Sequence, residues 1–125
     1  MHHLETVQYN VGEQLITQSE MASVIYFIRE GTVDIVLELG DGQQIRICSA
    51  IDGTIVGEAA FLTNAPRSAS VVATTPTTAY RLTHEGMEDI RRTNPAITIA
   101  FYEYLGKTLA NRLALANKRI SELLE

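Results

Sequence analysis

With 125 residues, 46% of them hydrophobic and 20% charged, the chain has the length and balance of one globular domain built on a single core. Its net charge of −5 and pI near 5.2 exclude sequence-independent nucleic-acid binding by the whole surface. No apolar run approaches the ~18–20 residues of a membrane span, the opening MHHLETVQYN has no apolar signal-peptide core, and the lone Cys48 forms no intrachain disulfide. The expectation is a cytoplasmic chain, or the cytosolic part of a membrane protein, with no span of its own. His2 and His3 read as the remnant of an appended tag rather than as a metal site. Cys48, in the alternation Ile45-Arg46-Ile47-Cys48, reads as a small core residue.

Residues 4 to 83 are rich in β-branched side chains and broken at short intervals by Gly, Asn, Asp and Pro, the pattern of an all-β barrel or sandwich. The first strand is predicted over Thr6–Tyr9, ending at the turn Asn10-Val11-Gly12, and the second over Gln14–Gln18. Val24–Arg29 is almost continuously apolar and reads as a buried strand. Glu30-Gly31 turns the chain into Thr32–Glu38. Leu39-Gly40-Asp41-Gly42, with Asp-Gly at its centre, is the strongest hairpin signal. Gln43–Ser49 returns, with Ile45 and Ile47 expected inward and Gln44 and Arg46 outward. Asp52-Gly53 marks a further turn, and Ala69–Thr74 and Thr77–Leu82 complete the strands. The period then changes. Thr83 is a good N-cap for a helix from about His84 to Thr93, with acidic residues near its start and Arg91 and Arg92 near its end. Asn94-Pro95 breaks it and opens a second helix with Pro in the first turn. From there Tyr102, Leu105, Leu109, Leu113, Ala116, Ile120 and Leu123 recur at spacings of three and four, one apolar stripe on a helix of over twenty residues. That stripe reads either as a lid packed over the barrel or as a seam for a homodimer.

The stretch 54–70, TIVGEAAFLTNAPRSAS, carries the chemistry. Glu58 and Arg67 are its only charges. A Gly-Glu step opening one short helical turn offers backbone N–H donors to a phosphate, and an arginine adds a planar fork of donors that suits phosphate oxygens. A carboxylate repels phosphate, so Glu58 suits a neutral hydroxyl on the same ligand. A phosphate beside a sugar hydroxyl describes a nucleotide. The competing reading makes Glu58 and Arg67 a structural ion pair within a loop. Signs of catalysis are absent from the sequence: there is no His/Cys cluster with metal spacing, no nucleophile elbow and no GxxxxGK[ST] loop. His84, the one histidine away from the N-terminus, reads as a solvated residue beside a helix cap. The sequence does not read as an enzyme or as a metal protein.

GEAAFLTNAPRSASVVA resembles the phosphate-binding cassette of cyclic nucleotide-binding domains, with a G-E-[small or Leu]-A-[apolar] opening, a short spacer and P-R-[AST]-A-[ST]-V-x-A. NVGEQLITQSEMASVIYFIREGTVDIV is similar to the first half of that family, including its G-E-x-[apolar]-x-x-x-[GS]-[ED] run. The resemblance implies a mainly β fold, an antiparallel β-roll or jelly-roll barrel over about 4–83 followed by two C-terminal helices over about 84–125, in one domain spanning 1–125. It implies cAMP or cGMP as ligand. Gly57 would let the backbone approach the ligand, Glu58 would accept from the ribose 2′-hydroxyl, and Arg67 would pair with the cyclic phosphate. Ala59, Ala60 and Ser68 would give backbone N–H groups, and Ser68 its hydroxyl. In relatives a polar side chain of the last helix reaches the purine, and Thr108, Asn111 and Arg112 lie at about that depth; the choice of purine stays open. Val56 stands where the family often has an aromatic, and Ala59 where it often has Leu. The implied role is that of a regulatory sensor, its C-terminal helices signalling to an attached effector such as a sulfate-permease-type transporter. Two alternatives accompany it. One is a dimerisation or docking module of the same fold without ligand, and the other is the effector domain of a catabolite-activator-type transcription regulator.

Overall fold

The computed structural model describes residues 4–21, 24–63 and 65–124, with only the backbone described at Ala59. His2, His3 and Asn64 lie outside the described residues. The chain divides into two compact units, Met1–Met87 and Glu88–Glu125.

Among the described residues, the first unit is an antiparallel β-roll of eight strands: β1 (Leu4–Tyr9), β2 (Gln14–Ile16), β3 (Val24–Glu30), β4 (Val33–Glu38), β5 (Gln44–Ala50), β6 (Ile55–Val56), β7 (Ser70–Ala73) and β8 (Thr77–Thr83). They form two four-stranded sheets, ordered β1-β8-β3-β6 and β2-β7-β4-β5. A short helix α1 (Glu58–Thr63) sits between β6 and β7. The core takes Leu15, Ile16, Val24, Tyr26, Ile28, Val33, Val56, Val71 and Ala79, drawn from both sheets. Strand β3 is buried over most of its length, as a continuous apolar run requires. The Asp41-Gly42 hairpin closes through Leu39 N–H to Gln43 O at 2.8 Å and Gly42 N–H to Leu39 O at 3.1 Å. At Gly31 the backbone has φ +115°, and a Cβ would stand 2.5 Å from Thr77 Oγ1, so this turn admits no side chain.

Two expectations fail on β5. Ile45 and Ile47 do not face inward: they are 51% and 52% exposed, and every residue from Gln44 to Ile47 is exposed. Strand β5 is the edge of its sheet, and its register against β4 slips between Ile35 and Val36, which pair with Cys48 and Arg46 and pass over Ile47. A slip of one residue reverses which face a side chain takes, so alternation alone misreads such a strand. Cys48, half-buried on that edge, is likewise not a core residue. The two-residue strand β6 gave no periodic signal and went unpredicted.

Helix α2 (His84–Thr93) begins where its cap predicts, with Gly86 N–H donating to Thr83 Oγ1 at 3.0 Å. In the second unit, Glu88 with Arg91 and Asp89 with Arg92 form surface ion pairs at i,i+3. Helix α3 (Pro95–Leu123) is capped by Asn94, whose side chain accepts from Ile97 N–H, with Pro95 in its first turn. Of the predicted stripe only Leu105 is buried, and Thr98 is the other buried residue of this 29-residue helix.

Candidate functional site

The site begins at the end of β6. Gly57 follows with φ +87°, a left-handed conformation that L side chains rarely adopt, and there the chain turns into α1. A Cβ at this position would meet Arg67 Nη1 at 2.8 Å, Val24 O at 2.9 Å and Ile16 Cδ1 at 3.0 Å. Glycine is therefore required twice, for the turn and for the close approach of Arg67. Phe61 N–H donates to Gly57 O at 3.2 Å, closing the first turn of α1 and leaving Glu58 as its first residue.

Arg67 is 5% exposed. Its Nη2 donates to Val24 O at 2.8 Å and its Nη1 to Gly57 O at 3.2 Å, so its head is tied to the start of β3 and to the glycine that opens the cassette. Its main chain is tied as well: Arg67 N–H donates to Glu20 O, and Ser19 N–H donates to Arg67 O, each at 2.9 Å. Burial pulls the guanidinium below its ordinary pKa, while the nearby Tyr26, Glu20 and Glu58 hold it up. An arginine stays charged through such a shift, and the result is a cation held in a largely apolar wall.

Arg67, Gly57, Glu58, Ala60 and Ser68 line one half-open cavity of about 100 Å³ with Ile16, Ile35, Val56, Ala69 and Val71. Five of the six residues expected at the ligand therefore share one pocket. The sixth, Ala59, lies in α1 with its side chain outside the described residues. Thr108, Asn111 and Arg112 belong to α3, in the second unit, and none is among the residues lining this cavity. The apolar wall, the Val24 carbonyl and the Ser19–Glu20 clasp escaped prediction. Ile16, Ile35 and Val71 carry no chemistry to single them out, and backbone partners leave no side-chain signature. The one usable signal was the Gln18-Ser19-Glu20 step. The cassette also reaches the next helix through Phe61, which stacks on His84 with ring centroids 4.3 Å apart and planes 1° from parallel. Among the described residues no group of three or more His, Cys, Asp and Glu side chains is placed to hold a metal, and no helix is long and apolar enough to cross a membrane.

The fold and site together are an antiparallel β-roll with a pocket that holds the buried Arg67 beside the Gly57 turn, and comparison with known proteins gives this arrangement its family. Residues 6–94 match the cyclic nucleotide-binding domain. The chain belongs to that family. It is 39% identical over 85 residues to an uncharacterized ABC transporter ATP-binding protein of Mycobacterium tuberculosis, a match covering 68% of this chain and 26% of that one. Among solved structures, a cyclic nucleotide-binding domain from Methylobacillus flagellatus superposes with TM-score 0.86 at 23% identity, over 94% of this chain and 66% of that one. The catabolite activator protein of Thermus thermophilus superposes with TM-score 0.79 at 26% identity, over 97% of this chain and 55% of that one. The chain spans about a quarter of the length of this curated relative.

Proposed function

We propose that this chain binds a cyclic nucleotide, cAMP or cGMP, in the 54–70 pocket and signals its occupancy through the C-terminal helices to an effector. The observation that carries this reading is the buried Arg67 guanidinium sharing one cavity with Glu58 and the Gly57 turn. A guanidinium has five N–H groups, and the two bonds to Val24 O and Gly57 O fix its position while leaving donor capacity for an anion. A cyclic phosphate carries one negative charge, which one arginine balances; a triphosphate would call for further cations. In this reading Glu58 accepts from the ribose hydroxyl, and the main-chain N–H groups of Ala59, Ala60 and Ser68 complete the phosphate contacts. The cavity is smaller than the ~300–1,000 Å³ of sites that enclose a whole drug-sized ligand. It suits the phosphate and ribose; for the purine, the family resemblance, in which a polar side chain of the last helix reaches the base, makes Thr108, Asn111 and Arg112 the candidates. Ligand contacts to the first turn of α1 would bias the Phe61–His84 stack and so the start of α2, a population shift driven by differential affinity.

The chain acts in this reading as a cytosolic sensor rather than as a catalyst, with no metal. The ABC transporter relative and the catabolite activator structure support an attached transporter or transcription regulator as the effector. Calorimetric titration with cAMP and cGMP tests the ligand. The wild type should bind, and Arg67→Ala should bind at least tenfold more weakly, since a hydrogen bond to a charged group contributes ~1.5–3 kcal/mol. Because Arg67 is also structural, Glu58→Gln serves as the milder variant, weakening nucleotide binding while keeping the arginine and its bonds to Val24 O and Gly57 O. A wild type that binds neither nucleotide at millimolar concentration refutes the proposal.

A further inference from the structure

The two main-chain bonds that hold Arg67 depend on residues 19 and 20, and the structure shows what holds those residues in turn. Ser19 has φ +74°, a left-handed conformation unfavourable for a residue with a Cβ. It therefore needs anchors beside it. Gln18 supplies those on its N-terminal side. Its main-chain N–H donates to Ser70 Oγ at 2.9 Å. Its carboxamide makes a two-way pair with the backbone of Glu38: Glu38 N–H donates to Oε1 at 2.7 Å and Nε2 donates to Glu38 O at 3.2 Å. Ser70 Oγ in turn donates to Glu38 Oε2 at 3.2 Å.

The placement of these bonds explains their effect. Strand β7 pairs with β4 up to Ser70 opposite Val36, beyond which the ladder stops. The Gln18 carboxamide takes up the same role two residues further along β4, with one donor and one acceptor, as a peptide group would. It thereby extends the ladder and fixes the 18–20 segment alongside 67–70. We propose that Gln18 is a positioning residue for the anion-binding arginine. Through Ser19 and Glu20 it sets the main chain of Arg67, and so where the guanidinium stands in the pocket. The inference rests on the reading of the pocket as a cyclic nucleotide site, and it adds a residue outside the 54–70 cassette to that site.

Gln18→Ala would strip the partners from a half-buried peptide N–H and C=O at Glu38, while Gln18→Glu keeps the shape but loses the donor to Glu38 O and sets two carboxylates close together. Gln44→Ala is the control, since Gln44 Nε2 donates to the other oxygen of the same Glu38 carboxylate without touching 18–20 or 67–70. Two measurements are made on each protein: cAMP and cGMP affinity by calorimetry, and the Arg67 Nε–H resonance with the Arg67 and Ser19 amide exchange rates by NMR without nucleotide. Gln18→Ala should bind about tenfold more weakly, shift or broaden the Arg67 Nε–H signal and speed exchange at both amides, with Gln44→Ala close to wild type throughout. Should Gln18→Ala not fold, Gln18→Glu carries the same expectation. Wild-type affinity in a folded Gln18 variant overturns the inference, as does weakened binding with every Arg67 signal unchanged. If the wild type itself binds neither nucleotide, the functional reading fails, and the nucleotide-free Arg67 signals still decide whether Gln18 positions the arginine.

Discussion

The β-roll and the long helix treat their apolar residues in opposite ways. In the first unit two sheets close on each other, and Ile25, Ile28, Val33, Ile55 and Phe61 are at most 1% exposed. Helix α3 has 29 residues and buries two of them, while Ile99, Leu113, Leu115 and Ile120 are each at least half exposed. Leu113 and Leu115 stand roughly 200° apart around the helix axis, so its exposed apolar surface is wider than one stripe. The roll spends its hydrophobic sequence on its own stability and presents a pocket, whereas α3 keeps much of its apolar sequence available. The proposed sensor role would call on both kinds of region: one that holds its shape against the ligand, and one whose contacts remain to be made or exchanged.

The largest expected effects lie in the roll. Phe61→Ala removes a side chain that is 1% exposed and stacked on His84, and should destabilise the protein by about 3–5 kcal/mol in denaturant unfolding. If Phe61→Ala proves as mild as a surface change, the roll is not the rigid partner in the comparison. Gly57→Ala comes next. It forces a side chain into φ +87° and against Arg67 Nη1 and the Val24 carbonyl, whose backbone has little room to yield. The conformational penalty alone is about 1–2 kcal/mol. Nucleotide affinity should fall by more than tenfold, because relief of the clash displaces the arginine.

Much of this division could be read in the sequence, for identifiable reasons. Thr83, Asn94 and Pro95 punctuate the chain by local hydrogen bonding and fixed φ, effects that need no tertiary partner, and both helices begin where those residues predict. Gly57, Glu58 and Arg67 were legible from the chemistry of a phosphate site, which constrains residue type at close spacing, whereas Ala60 and Ser68 were named only through the resemblance of the cassette to a family; all five line one cavity. The facing of Ile45 and Ile47 was not legible, since a register slip between β4 and β5 is decided by pairing across strands rather than by the strand's own alternation. The clasp on Arg67 was illegible for a similar reason: Ser19 and Glu20 act through main-chain atoms, which every residue type possesses.

Ser19 and Tyr9 offer smaller tests of how finely the roll is adjusted. Ser19→Gly removes the left-handed penalty at φ +74° but adds backbone freedom to the unfolded chain, so a net gain of up to about 1 kcal/mol is expected, seen as a Tm rise of a few degrees. A lower Tm would show that the serine side chain contributes more than its backbone conformation loses. Burial, and then the neighbouring Tyr26, push the Tyr9 phenol well above its ordinary 10.0. The folded state therefore holds that proton more tightly than the unfolded chain, and the associated stability is complete below pH 10 and lost as the pH climbs beyond it. Tyr9→Phe should flatten the alkaline fall in stability; an unchanged slope above pH 10 would remove Tyr9 from the account. The exposed pairs Glu88–Arg91 and Asp89–Arg92 in the second unit give no such leverage, being solvated and screened.

The smallest effect on stability, and the one that bears most on α3, is expected from Leu113→Ser combined with Ile120→Ser. The two positions are seven residues apart, two turns along one side of the helix, at 63% and 55% exposure. Surface substitutions of this kind shift stability by no more than about 0.5 kcal/mol, and nucleotide affinity should stay at its wild-type value, because neither side chain is among those proposed to meet the ligand. If the face is a seam between two copies, sedimentation at rising concentration should show the wild type self-associating and the double variant remaining monomeric. A wild type that stays monomeric at high concentration leaves this face to a lid or to the effector. A fall in thermal stability of several kcal/mol would break the comparison itself, since the helix would then be contributing to a core rather than offering a surface.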